Sequence, residues 1–126
     1  MIRNGTTPAL TGSKMKRGEI YLAELNPTVG SESNKCHPCL IVSNDANNRA
    51  ASTVTVLPIT SLTTKVFPFE VALAPKESGL LKVSKAQAQQ IRTTSKQRIA
   101  GPVAGGLDTE NMRTVAAAIR LHLGID

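Results

Sequence analysis

Tryptophan is absent from this 126-residue chain, and its only aromatic residues are one tyrosine and two phenylalanines. That excludes an extended platform of aromatic rings, so any stacking on Tyr21, Phe67 or Phe69 is confined to a few positions. Cysteine is scarce too, and the two present form one pattern, Cys36-His37-Pro38-Cys39. A thioredoxin-like C-x-x-C needs a helix starting at its first cysteine. Here Pro38 and the run Cys39-Leu-Ile-Val42 point to a strand instead. A structural zinc site wants four ligands, and His122 is the one further histidine. Two ordinary buried thiols and no bound metal are the expectation.

Long apolar runs are missing as well. None approaches the ~20 residues that span a bilayer, and the longest, Cys39–Val42 and Val54–Ile59, have strand length. No charged region leads into an apolar stretch at the N-terminus, so no signal peptide is visible. A cytoplasmic protein with no membrane partner is expected. Also missing are H-E-x-x-H, a Walker loop and a G-x-S-x-G elbow. Glu32 is the lone acid between Thr28 and His37, and two-metal nuclease chemistry needs acids in clusters. The composition points to no cofactor.

What is present is positive charge. Fifteen Lys and Arg against nine acids give a net charge of +6, which favours polyanionic partners, nucleic acid or an acidic protein segment. Solubility alone is the competing explanation of that charge. Hydrophobic residues reach 40%, enough for one compact domain at this length. Residues 1–14 combine Gly, Thr and Pro without periodicity and read as a disordered extension. Met15 follows, and the folded domain is expected over 15–126.

Alternation over Gly18–Leu25, with Ile20 and Leu22 against Glu19, Tyr21 and Glu24, predicts a half-buried strand. Asn26-Pro27 ends it. Thr28 to His37 holds almost nothing apolar and predicts a long loop, the kind that tends to carry function. Pro38–Ser43, Thr53–Thr60 and Phe67–Leu73 read as further strands, with Pro58 suggesting an edge or a bulge. Asn44–Ala51 is a polar connection with room for one helical turn. Ala74–Ser84 holds turn residues, Ala86–Arg92 alternates weakly, and Arg98–Val103 supplies one more strand. The period then changes: Met112, Val115, Ala116, Ile119 and Leu123 form one helical stripe. Asp108 or Thr109 caps it and Gly124 ends it. Short strands closed by one terminal helix predict a mainly β fold, a small antiparallel barrel covered by that helix.

If such a basic barrel cuts a phosphodiester without metal, RNA offers its own nucleophile in the 2′-hydroxyl. The protein then supplies a base, an acid, and a donor or cation for the phosphorane's equatorial oxygens. His37 is the one histidine outside the terminal helix, and a histidine exchanges protons near neutral pH. Thr60 and Ser61 end a strand and can donate hydroxyl hydrogen bonds to phosphate. Lys35, Lys65, Lys96 and Arg98 are candidate phosphate contacts, and each reads equally as a solvated surface charge. The residues alone reach a basic barrel with a plausible site.

The runs Arg17–Pro27, Gly30-Ser-Glu32 and His37-Pro-Cys-Leu-Ile-Val-Ser-Asn44 are followed in order by Asn48-Arg49 and by Thr53–Ser61 ending in Pro-Ile-Thr-Ser. Phe67-Pro-Phe-Glu-Val71, Gln90–Arg98 and the terminal helix complete the series. Together, from Met15 to about Gly124, they resemble the MazF/PemK family of toxin endoribonucleases. The resemblance implies an SH3-like (CcdB/PemK-like) barrel, a homodimer, and metal-independent cleavage of single-stranded RNA. It also implies inhibition by a MazE-type antitoxin with an acidic C-terminal segment. Thr60 matches the family's catalytic threonine, Ser61 follows it, and Ser31 and Glu32 match the loop that approaches RNA. Gln90 and Arg92 match a strand beside the site, and Lys35, Asn44, Lys65 and Lys96 are further candidate RNA contacts. Where the family carries Arg-Pro this chain has His37-Pro38, keeping proton transfer and giving up a permanent charge. Two other readings stay open: a member that binds antitoxin or RNA without cutting, and a CcdB-like topoisomerase poison.

Overall fold

The computed structural model describes residues 14–25, 36–62 and 65–126. The extension expected at 1–14 therefore falls almost wholly outside the described residues, as do Ser31, Glu32 and Lys35. Strand-forming runs of Ile, Leu and Val set the architecture. In chain order these are β1 (Glu19–Ala23), β2 (His37–Ile41), β3 (Thr53–Ser61), β4 (Glu70–Leu73), β5 (Ser84–Gln87), β6 (Arg92–Ser95) and β7 (Ile99–Gly106). Helix α1 is Asp45–Ala50, α2 is Pro75–Ser78, and α3 is Thr109–Leu123. The sheet runs β4-β5-β3-β2-β1-β7, with β6 also paired to β3, and all its pairings are antiparallel. The expected mainly β fold with a covering terminal helix is thus present, although pairing among the described residues does not close the barrel.

Both faces of the sheet are buried, because the period of two sends alternate residues to opposite sides. Ile20, Leu40, Leu57 and Ile59 lie on one side, packed with Met112, Val115 and Ala118 of α3. Tyr21, Ala23, Cys39, Ile41, Val54 and Val56 lie on the other with Met15 and Ile99. This corrects the half-buried reading of the first strand: Tyr21 is buried and Leu22 is 40% exposed. The Tyr21 hydroxyl donates to Glu19 Oε1 at 2.9 Å, which satisfies the one polar atom of that ring.

Pro58 is not on an edge. Strand β3 is central and changes partners along one side, pairing β6 over Thr53–Val56 and β5 over Ile59–Ser61. Leu57 and Pro58 sit at the switch, where a residue without an N–H costs that side no ladder bond. The terminal helix follows its sequence signals closely. Asp108 accepts from the Asn111 N–H at 2.8 Å, and Gly124 closes the helix at φ 71°. Leu123, placed on the apolar stripe by periodicity, is exposed at the end of the helix.

Two connections are more ordered than their composition suggests. Asn44 caps α1 by accepting from the Asn47 N–H at 2.8 Å. Asn48, fully buried, accepts from Ser43 Oγ at 2.5 Å and donates to the Ser43 carbonyl at 2.9 Å. Pro75 opens α2 and Gly79 ends it at φ 83°. Residues read as a weak alternation at Ala86–Arg92 divide into the end of β5, a 3-10 turn at Ala88–Gln90, and the start of β6.

Candidate active site

The register of β2 against β3 pairs Cys39 with Pro58, Leu40 with Leu57 and Ile41 with Val56. Carried two residues towards the start of β2, it sets His37 level with Thr60. On either side Ala23 pairs with His37, and Thr60 pairs with Lys85. The sheet therefore delivers an imidazole and a hydroxyl to one transverse row. Both side chains are exposed. They line one cleft of about 490 Å³ with Pro38, Ser61, Leu80 and Lys82. Pro38 fixes the backbone directly after the histidine.

Behind Thr60 lies a buried charged pair. Lys85 Nζ donates to Glu70 Oε1 at 3.0 Å, with both side chains nearly inaccessible, and to the Lys65 carbonyl at 3.1 Å. Glu70 also accepts from the Phe67 N–H at 3.0 Å and from Gln89 Nε2 at 2.6 Å. Burial pushes the Glu70 carboxyl up, but donors from Gln89, Phe67, Lys85 and Gln87 outweigh it and hold the pKa at about 2. The pair ties β4 and the residues before it to β5, next to the strand end that carries Thr60.

The other residues singled out in the sequence are dispersed. Asn44, engaged as the α1 cap, lines a second cleft of about 530 Å³ with Arg17, Ile91 and Arg120. Gln90 is exposed in the 3-10 turn beside Ile91, and Arg92 is half-buried opposite Val56. Lys96 donates to the Asn48 carbonyl at 2.6 Å, on the α1 side of the molecule. Lys65 lies 5.0 Å from the centre of the Phe67 ring, and Phe67 stacks on Phe69. Arg98 reaches the Glu24 carbonyl at 3.4 Å. The structure thus gathers His37, Thr60 and Ser61, and leaves Asn44, Gln90, Arg92, Lys65 and Lys96 outside that cleft's lining.

Sequence reasoning missed Lys82, which sits in a stretch read only as a connector, and the Glu70–Lys85 pair. Lys85 falls between the connector and the weak alternation, so no local pattern marked it as the partner of Glu70. The C-x-x-C pattern is also corrected in part: both thiols are free, but Cys36 is exposed and only Cys39 is buried. Burial pushes the Cys39 thiol up to about 12, against a smaller opposing effect of the Tyr21 backbone N–H. Among the described residues no three His, Cys, Asp or Glu side chains group to hold a metal ion. No described helix is long and apolar enough to cross a membrane.

Residues 16–123 match the PemK-like, MazF-like toxins of type II toxin–antitoxin systems. The chain belongs to this toxin family. It is 39% identical over 116 residues to endoribonuclease MazF9 of Mycobacterium tuberculosis, covering 88% of this chain and 98% of that protein. To endoribonuclease EndoA of Bacillus subtilis it is 37% identical over 112 residues, covering 88% and 96%. A mycobacterial endoribonuclease solved in complex with its cognate antitoxin superimposes with a TM-score of 0.73 at 28% identity, over 89% of this toxin and 97% of that chain. That neighbour assembles with an antitoxin, and it shares with this chain the mainly β architecture.

Proposed function

We propose that the chain is a toxin endoribonuclease that cleaves single-stranded RNA, mRNA among it, at short sequences without a metal ion. The observation that carries this reading is the placement of His37, Thr60 and Ser61 in one cleft at the ends of two paired strands. Attack of the substrate's 2′-oxygen on the adjacent phosphorus expels the 5′-oxygen, leaving a 2′,3′-cyclic phosphate and a 5′-hydroxyl. His37 transfers protons between these oxygens. The Thr60 and Ser61 hydroxyls donate to the phosphorane that develops between them.

Ser31, Glu32 and Lys35 are proposed as RNA contacts from the family's RNA-facing loop, with Lys65, Asn44, Gln90, Arg92 and Lys96 as contacts outside the cleft's lining. The net charge of +6 supports both an RNA substrate and an antitoxin with an acidic segment. A homodimer and a cytoplasmic site of action complete the reading. The toxin domain is placed at 15–126, supported by Met15, whose side chain is 2% exposed in the core.

The test is end-group analysis of a labelled long RNA digested in EDTA. Discrete cuts ending in cyclic phosphate and 5′-hydroxyl are expected. Binding without any cut across a broad RNA panel, with cutting gained by His37→Arg, would instead mark a member that binds and does not cleave.

A further inference from the structure

We propose that Lys82 supplies the cleft's permanent positive charge and contacts the non-bridging oxygens of the scissile phosphate. This rests on the cleft being the RNA cleavage site, and it names the group that completes the site.

Charge accumulates on the equatorial oxygens as the 2′-oxygen attacks, and it must be met throughout bond making and bond breaking. An imidazole that exchanges protons during the reaction cannot hold a fixed charge. The Thr60 and Ser61 hydroxyls are neutral donors. Among the described residues lining the cleft, Lys82 is the one lysine or arginine. Lys85, although paired with Thr60 across the ladder, has its ammonium engaged by Glu70 and the Lys65 carbonyl.

The backbone around Lys82 is held at the cleft rather than left loose. Ser84, itself buried, donates from Oγ to the Lys82 carbonyl at 2.9 Å. Ser84 also pairs with Ser61 at the end of β3. The next carbonyl, of Val83, accepts from the Leu62 N–H at 3.0 Å. On the other side Leu80 packs against the core, and its N–H donates to Ser78 Oγ at 3.0 Å. A segment pinned at both ends presents the lysine beside the strand end that carries Thr60 and Ser61. Its flexible stem lets a compact ammonium follow the phosphate as its geometry changes.

The experiment uses an oligonucleotide spanning a cut mapped on a longer RNA, in all-oxygen form and with one phosphorothioate at the cut. Single-turnover cleavage is measured over a concentration series up to saturation, giving the maximal rate and KM, for the wild type, Lys82→Gln, Lys82→Arg and Thr60→Ala. Lys82→Gln is expected to cut roughly 100-fold more slowly, and Lys82→Arg, which keeps the permanent charge, to recover much of that loss. The rate penalty of sulfur substitution should shrink in Lys82→Gln, an effect that a merely structural role would not produce. An unchanged Lys82→Gln rate overturns the proposal. So does a loss confined to KM with the sulfur penalty unaltered, which marks a general polyanion contact. If Thr60→Ala abolishes cutting while Lys82→Gln cuts normally, Lys82 alone is wrong. If the wild type does not cut, or Thr60→Ala cuts undiminished, the cleft reading falls and Lys82 with it.

Discussion

His37 opens β2 and Thr60 lies one residue from the end of β3, and antiparallel pairing brings the two to the same cleft. Their separation of 23 positions in sequence is closed by α1 and the length of two strands. Whatever anchors that turn, or ties β4 to β5 beside the strand end that carries Thr60, therefore bears on the stability of the frame that holds the site.

The anchor of the turn is Asn48. Asn48→Ala removes a fully buried side chain that both accepts from and donates to Ser43, leaving the Ser43 hydroxyl and carbonyl without those partners. A loss of about 2–3 kcal/mol is expected in urea unfolding. Because the side chain does not line the cleft, the variant should cut RNA at the wild-type rate below its own melting temperature. A wild-type unfolding curve would show that the network contributes little.

The tie to β5 is the Glu70–Lys85 pair. Lys85→Met leaves a buried carboxylate without its cation and is expected to cost about 3–5 kcal/mol, with much of that recovered in Glu70→Leu/Lys85→Met. A single variant as stable as wild type would mean that the carboxylate finds other compensation.

The same carboxylate gives a pH dependence of definite sign. Its folded pKa of about 2 lies below the ordinary 4.5. The stabilisation is fully present above the ordinary value and is lost as pH falls through about 2. Stability measured between pH 6 and pH 2.5 should therefore fall less steeply in Glu70→Gln than in wild type. Parallel curves for the two proteins would contradict the assignment.

Close packing sets a further expectation at Gly105. A Cβ built there would run into the Ser78 carbonyl oxygen, which is backbone and cannot swing aside. Gly105→Ala should destabilise by more than about 2 kcal/mol, read in the same urea titration. Gly101, where a Cβ would meet nothing within 4 Å, is strained instead by its φ of 71°.

Much of the frame was legible because it is written in periodicity. The terminal helix, its Asp108 cap and its Gly124 stop follow from local rules, as do the positions of most strands. The misreadings share a cause: they needed the partner on the far side. Alternation in Gly18–Leu25 cannot say that Met15 and Ile99 cover the Tyr21 face. Pro58 looks like an edge residue until β3 is seen to exchange β6 for β5 at that point. For the site, the family pattern pointed to Thr60, His37 stood out as the one histidine outside the terminal helix, and the register then joined them. Lys82 was invisible because its neighbours in sequence, Leu81 and Val83, are apolar and exposed, so no local pattern marks the segment as part of a cleft.

The central claim is that this cleft cuts RNA, and cleavage of a labelled RNA in EDTA by wild type, His37→Ala and Thr60→Ala tests it most directly. Losses of roughly 100-fold or more in both variants, with unfolding temperatures near wild type, are predicted from the removal of a proton-transfer group and an oxyanion donor. Undiminished cutting by both variants would contradict the account and move the site elsewhere on the molecule.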